Sequence, residues 1–171
     1  MYFNRTLLIA LTLLICNNTY ALSNDREQPI LIEADQAIID NIKGIATYEG
    51  NVVVTQGSIR IDADKITLNY TPEQAIEKII ATGNLASFKQ HLDNDEDINA
   101  KAKHMEYNAI KDILHLTDEA ELRKQKNDRD IYTSNAPHIT YDTKKGFTKA
   151  DGGDNKGRIK ISIEPQYLKK K

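Results

Sequence analysis

Ala63-Asp64-Lys65-Ile66-Thr67-Leu68-Asn69-Tyr70, followed shortly by Ala81-Thr82-Gly83-Asn84-Leu85-Ala86-Ser87-Phe88, decides the fold, because the same unit returns along the chain. Upstream it reads Ala34-Asp35-Gln36-Ala37-Ile38-Ile39-Asp40 with Tyr48-Glu49-Gly50-Asn51-Val52-Val53-Val54. Downstream it reads Ala102-Lys103-His104-Met105-Glu106-Tyr107-Asn108 with Leu116-Thr117-Asp118-Glu119-Ala120-Glu121-Leu122. A fourth copy, Ala136-Pro137-His138-Ile139-Thr140-Tyr141-Asp142, lacks the second half. From Gly50 to Gly83 is 33 residues and from Gly83 to Asp118 is 35, a period that marks stacked supersecondary units. One such unit cannot bury its apolar face alone, so the copies must share a core.

Within the units the apolar period is two. Ile59, Ile61 and Ala63 alternate with Arg60, Asp62 and Asp64, and Ile66, Leu68 and Tyr70 alternate with Thr67 and Asn69. That is the pattern of strands with one wet face. Turns are expected at 41–44, 49–51, 56–57, 70–72, 82–84, 93–97 and 142–146, where Gly, Asn, Asp and Pro cluster. Residues 73–80 have some helix propensity but align with the strand entry at Gly44–Tyr48 and read as loop into strand. The architecture is therefore all-β, with antiparallel hairpins in series. Carrying the register across the copies puts Ile30, Ile32, Val52, Val54, Ile61, Ile66, Leu68, Ala86, Phe88, Met105, Tyr107, Leu114, Leu116, Leu122, Ile139 and Tyr141 on one interior face.

That interior is slim and aliphatic. The chain has no Trp and three Phe, one of them in the first few residues, whereas large aromatics usually close such sandwiches. A slim interior is compatible with an ordinary aliphatic core and with a groove for an acyl chain. The first copy begins abruptly and the fourth is incomplete, so edge strands are left with unpaired N–H and C=O groups that invite a partner strand or head-to-tail self-association.

Residues 1–21 read as a cleaved secretory signal peptide. Arg5 supplies the positive start, Leu7–Ile15 an apolar run too short to span a bilayer, and Thr19-Tyr20-Ala21 the small-residue cleavage site. Cys16 raises a lipoprotein alternative, against which bulky Ile15 stands. It is also the only cysteine, so the exported chain has no disulfide, thiolate metal site or cysteine nucleophile. The formal net charge of −2 becomes one unit more negative when Arg5 leaves, which makes nucleic acid an unsuitable partner.

Catalytic and cofactor patterns are missing. His91, His104, His115 and His138 are scattered and read as surface residues, with no metal or other cofactor expected. No nucleophile elbow, phosphate loop or His-Glu-x-x-His occurs. Asp62 and Asp64 read as a solvated face rather than a glycosidase pair, and Asp93–Asp97 lacks the Gly and terminal Glu of a calcium loop. The end Tyr167-Leu168-Lys169-Lys170-Lys171 reads as a basic frayed terminus. The chain is expected not to be an enzyme.

Gln28-Pro29-Ile30-Leu31-Ile32-Glu33-Ala34-Asp35-Gln36, the run Tyr48 to Gly57, and Ile59-Arg60-Ile61-Asp62-Ala63-Asp64-Lys65 resemble the OstA-like family of periplasmic lipopolysaccharide transport proteins. The likeness runs from about Gln28 to Tyr141 in order and spacing. It implies a slightly twisted, open, V-shaped antiparallel β-jellyroll over residues 28–150, with 151–171 loosely ordered. It also implies a periplasmic bridge that holds the acyl chains of lipopolysaccharide, through its lipid A moiety, between two sheets and works in outer-membrane assembly. The implied partners are an LptC-like inner-membrane protein, an LptD-like outer-membrane protein and further copies of the chain. Family lipid-facing positions fall on Ile30, Ile32, Phe88, Met105, Tyr107 and Leu116, within the interior stripe. Asp118-Glu119 departs from the family's Gly-Asn, and Asp151–Gly157 inserts a loop near the end. The alternatives are a membrane-anchored LptC-like component of the same system and a secreted polysaccharide-binding β-protein.

Overall fold

The computed structural model describes residues 25–154 and 157–165. The proposed leader, Cys16 and the Lys-rich end lie outside them. After a single 3-10 turn, Asp25–Glu27, come ten strands: β1 Ile30–Glu33, β2 Gln36–Asp40, β3 Ile45–Gln56, β4 Ile59–Tyr70, β5 Ile76–Leu92, β6 Glu96–Asn108, β7 Ile113–Lys126, β8 Arg129–Asp142, β9 Phe147–Asp151 and β10 Lys160–Ile163. All pair antiparallel in one sheet of order β1-β3-β4-β5-β6-β7-β8-β10, with β2 also on β3 and β9 also on β8.

Two of the expected turns are not turns. Residues 49–51 and 82–84 lie inside β3 and β5, where the pairing register slips instead of reversing. Matching slips fall between Asp62 and Lys65, Lys101 and His104, and Thr117 and Ala120. Every long strand therefore carries a bulge at one level, and the sheet folds there into two facing layers. The first holds β1, 52–56, 59–63, 86–92, 96–102, 120–126, 129–136 and β10. The second holds β2, 45–49, 65–70, 76–82, 104–108, 113–117, 138–142 and β9. At the first bulge Gly-Asn serves as it would in a turn, by accepting backbone at positive φ, with Gly50 and Asn51 at 79° and 47°, whereas Gly83 and Asn84 make the second bulge without positive φ.

The fold line explains the recurring Ala-Asp. Asp35 N donates to Gly50 O at 3.0 Å, and its carboxylate accepts from Asn51 Nδ2 at 2.9 Å. In the next copy the Asp64 carboxylate accepts from Asn84 N at 2.9 Å. A Cβ on Gly50 would sit 2.9 Å from Asp35 Cβ. The third copy exchanges both partners at once: Lys103 replaces the aspartate and forms an ion pair with Glu119, while Asp118 and Glu119 take φ of 62° and 54°. The departure from Gly-Asn thus keeps the bend and changes its chemistry.

The fourth copy is more complete than its sequence suggests. β9 pairs with β8 above the fold line and β10 pairs with it below, running in the same direction. Together they are the second half, interrupted at the bend by residues 152–159. Lys160–Ile163 is accordingly a paired strand inside the stretch expected to be loose. At the other edge β1 and β2 make a similar broken strand against β3.

Small side chains of one layer meet large ones of the other along the fold line. Beside the bends lie Ala86 paired with Ala102 and Ala120 paired with Ala136, all buried. Across from them, in the second-layer row next to the bends, lie Ile66, Met105, Leu116 and Ile139, and farther from the bends in the first layer Phe88 and Leu122, also buried. One row of the first layer runs from edge to edge as Ile32, Val54, Ile61, Phe88, Ala100, Leu122, Ser134 and Ile161. The slim residues thus let the layers approach at the apex, and each large buried side chain contributes about 1.5–3 kcal/mol.

Candidate functional site

Opposite the fold line the layers part, and two rows of hairpin tips form the lips of a mouth. In the second layer three tips share one device. Asp40 accepts from Ile42 N and Lys43 N at 3.1 and 3.0 Å, Asn108 from Ile110 N and Lys111 N at 3.1 and 2.9 Å, and Asp142 from Lys144 N and Lys145 N at 3.1 and 2.8 Å. These are Asx turns, the local competition for backbone that Asp and Asn offer at strand ends. The Lys43 N–H, then its ammonium, hold Asp40 below the ordinary carboxylate range; Lys145 does the same for Asp142. The first layer's tips, at 57–58, 93–95 and 127–128, are Gly, Ser, Asn and Asp.

Between the lips lies a cleft of about 510 Å³. Ile30, Ile32 and Ile59 line it from the first layer, and Tyr70, Ile76, Ile79 and Tyr107 from the second. Gln56, Gln74 and Ala109 complete its rim. This volume lies in the range of small-molecule pockets, ~300–1,000 Å³, and the walls are largely apolar. A second cleft of about 580 Å³ adjoins it through Ile59 and Tyr107 and is polar, with Lys124, Lys144, Lys145, Asp25 and Tyr141 among its walls. A third, of about 490 Å³, adjoins it through Tyr70 and Gln74 toward β2. The three clefts thus lie side by side along the hairpin tips, the third between tips of the second layer alone. Tyr107 donates its hydroxyl to Asp112 Oδ1 at 3.2 Å, so its ring stays in the apolar cleft while its polar tip is satisfied. Burial, then the charges of Asp142 and Glu96, push the Tyr141 hydroxyl up to about 12.

The structure brings all thirteen sequence-derived candidates onto one interior. Ile30, Ile32 and Tyr107 line the apolar cleft, and Tyr141 lines the polar one. Val52, Val54, Ile61, Ile66, Leu68, Phe88, Met105, Leu116 and Ile139 lie deeper, packed against one another. Ile76 and Ile79 were hidden from sequence reasoning because 73–80 reads as loop into strand; the β-branched pair just before Ala81 was the available signal. The histidines at 104, 115 and 138 lie outside the interior, with His115 Nδ1 3.2 Å from Thr140 Oγ1 and His138 3.5 Å from Asp151. Among the described residues no group of three His, Cys, Asp or Glu side chains is placed to hold a metal ion, and no helix is long and apolar enough to cross a membrane.

Both sheet edges expose apolar side chains: Leu31, Ile38 and Ile39 on β1 and β2, and Phe147, Ile161 and Ile163 on β9 and β10. The two edges have different sequences, so contact between them is heterologous.

Comparison with known proteins bears on this geometry. A family model described as LptA/(LptD N-terminal domain) LPS transport protein matches residues 31–147. The lipopolysaccharide export system protein LptA of Haemophilus influenzae is 36% identical over 96% of this chain and 94% of its own length. The protein of the same name from Escherichia coli K12 is 36% identical over 89% of this chain and 80% of its own. The crystal structure of LptH, the LptA-homologous periplasmic component of the lipopolysaccharide transport device of Pseudomonas aeruginosa, superposes with a TM-score of 0.73 at 29% identity, covering 82% of this chain and 99% of that one.

Proposed function

The chain belongs to the LptA/(LptD N-terminal domain) family of lipopolysaccharide transport proteins, and on that premise we propose that it carries lipopolysaccharide across the periplasm with the acyl chains held between its two layers. The family is one of transport proteins rather than enzymes. The observation that carries the proposal is the apolar cleft between Ile30, Ile32 and Ile59 on one side and Ile76, Ile79 and Tyr107 on the other, flanked by two further clefts that share lining residues with it. An amphiphile gains roughly 0.8 kcal/mol for each methylene buried there, while its saccharide stays in water outside the lips. Cleft residues make the first contact, and the deeper set, Phe88, Met105 and Leu116 among them, meets the chain where the layers part further.

The edges supply the partners. β1 with β2, and β9 with β10, each present an edge with no further strand on it among the described residues, and exposed apolar side chains, the arrangement by which sheets extend through another chain. An LptC-like protein at the inner membrane, an LptD-like protein at the outer membrane and further copies between them, joined head to tail, would continue the two layers and their mouth without a break. Export to the periplasm through the leader at 1–21 fits this role. Gel filtration with fluorescent lipopolysaccharide tests the proposal: the lipid co-elutes with the protein, and elution of free lipid alone refutes it.

A further inference from the structure

The wall of the apolar cleft nearest the sheet edge is the weakest strand of the fold that lines it. β1 has four residues and pairs only with β3, yet two of them, Ile30 and Ile32, face the cleft. Its C-terminal end is held at the fold line, where Asp35 meets Gly50. Beyond its ladder to β3, its N-terminal end is fastened by side-chain ties centred on one carboxylate. Asp25, buried at 7% exposure, accepts from Ser58 N at 2.7 Å, Ser58 Oγ at 2.9 Å and Gln90 Nε2 at 3.2 Å. Those donors belong to the β3–β4 hairpin and to β5, so Asp25 ties the segment that leads into β1 to two neighbouring elements of the first lip. Gln28 completes the tie, donating its N–H to Asp25 O at 3.1 Å and accepting at its carbonyl from Gln56 Nε2 at 3.2 Å. The hairpin is shaped to receive the carboxylate: Gly57 lies at φ 58°, and a Cβ there would stand 2.9 Å from Asp25 Cα.

We propose that Asp25 is a positioning residue of the lipid cleft, latching β1 so that Ile30 and Ile32 form its wall. This rests on the reading that the cleft holds an acyl chain. With the latch closed the cleft is walled at the β1 edge. With it open, β1 keeps only its four-residue ladder to β3 and its tie at the fold line, and fraying of that short ladder lets the cleft communicate with that edge, the side from which a partner would continue the sheet. Asp25 lies in the wall of the polar cleft and not of the apolar one, so it acts on the acyl chain through Ile30 and Ile32. A hydrogen-bonded charge is among the stronger local ties, and local opening follows the loss of such ties before global unfolding does.

The test compares the exported protein with Asp25→Ala, and with the milder Asp25→Asn and Ser58→Ala in case the first fails to fold. Amide exchange is measured across the chain, together with the release rate of bound fluorescent lipopolysaccharide. The expected result is exchange in residues 30–33 faster by on the order of tenfold or more, unchanged exchange in β7, and correspondingly faster lipid release, with Asp25→Asn and Ser58→Ala in between. Unchanged exchange in β1 overturns the proposal. Equal acceleration in every strand also overturns it, because Asp25 is then a general stabiliser. Faster β1 exchange with unaltered lipid release overturns the link to the cleft. If the unmodified protein binds no lipid, the transport reading fails by itself, and the inference falls with it whatever the exchange shows.

Discussion

Along the first layer's side of the fold line the interior is lined by buried alanines, Ala86 against Ala102 and Ala120 against Ala136. At the mouth the same strands carry Ile59, Ile76, Ile79, Tyr70 and Tyr107 around open volume. The apex is specified by backbone: a slip of pairing register in each strand pair, at positive φ in the first and third copies, a carboxylate or ammonium across the bend, and small side chains on the first layer. The mouth is specified by what it leaves uncovered. Substitutions in and near the apex should therefore be read in stability, and substitutions at the mouth in binding.

The largest expected loss is in the packed interior between the two. Phe88→Ala should cost about 3–5 kcal/mol in denaturant unfolding, since Phe88 is among the largest fully buried side chains. Alkaline pH gives the next effect. An unfolded tyrosine titrates near 10, whereas Tyr141 folded titrates at about 12. Between those values the unfolded chain loses its proton first, so the stability contribution is intact below pH 10 and falls by about 2–3 kcal/mol as pH rises to 12. Tyr141→Phe should remove that share of the alkaline destabilisation when the two proteins are compared across the range.

Gly50→Ala sharpens the apex side. It places a Cβ at positive φ against Asp35, which should cost roughly 1–3 kcal/mol and show as a lowered Tm. At the mouth, Ile30→Ser should change stability by less than about 1 kcal/mol, because Ile30 is already 36% exposed, yet weaken lipopolysaccharide retention measurably. A large stability loss there would erase the distinction between mouth and apex. The smallest effect is expected at the third bend. Lys103 and Glu119 are both well exposed, so Lys103→Ala should cost under about 1 kcal/mol, and a larger loss would mean that the bend depends on this pair as the others depend on Gly-Asn.

How much of this was legible follows from which signals are local. The period of two placed Ile61, Ile66, Leu68, Phe88, Met105, Leu116 and Ile139 inward, and each is buried. The bends were misread as turns because Gly50-Asn51 and Gly83-Asn84 suit either, and whether a strand reverses or merely folds depends on pairing partners far along the chain. The second half of the fourth copy was masked by residues 152–159, which separate β9 from β10 at the level where the other strands only bulge. The family and its interior stripe were visible in the ordered series of motifs. The mouth was not, since a cleft arises where two layers diverge, and Ile76 and Ile79 reach it from a segment whose propensities point elsewhere. Asp25 was invisible for the same reason: its partners, Ser58 and Gln90, lie 33 and 65 positions away.

The central claim, that the acyl chain lies between the layers, is tested most directly on a single strand. Ile32 faces the cleft, whereas its neighbour Leu31 points away and is 63% exposed. A photo-crosslinking residue placed at each position in turn, in protein loaded with lipopolysaccharide, should label the lipid from position 32 and leave it essentially unlabelled from position 31. Equal labelling from both, or labelling from 31 alone, would contradict the account.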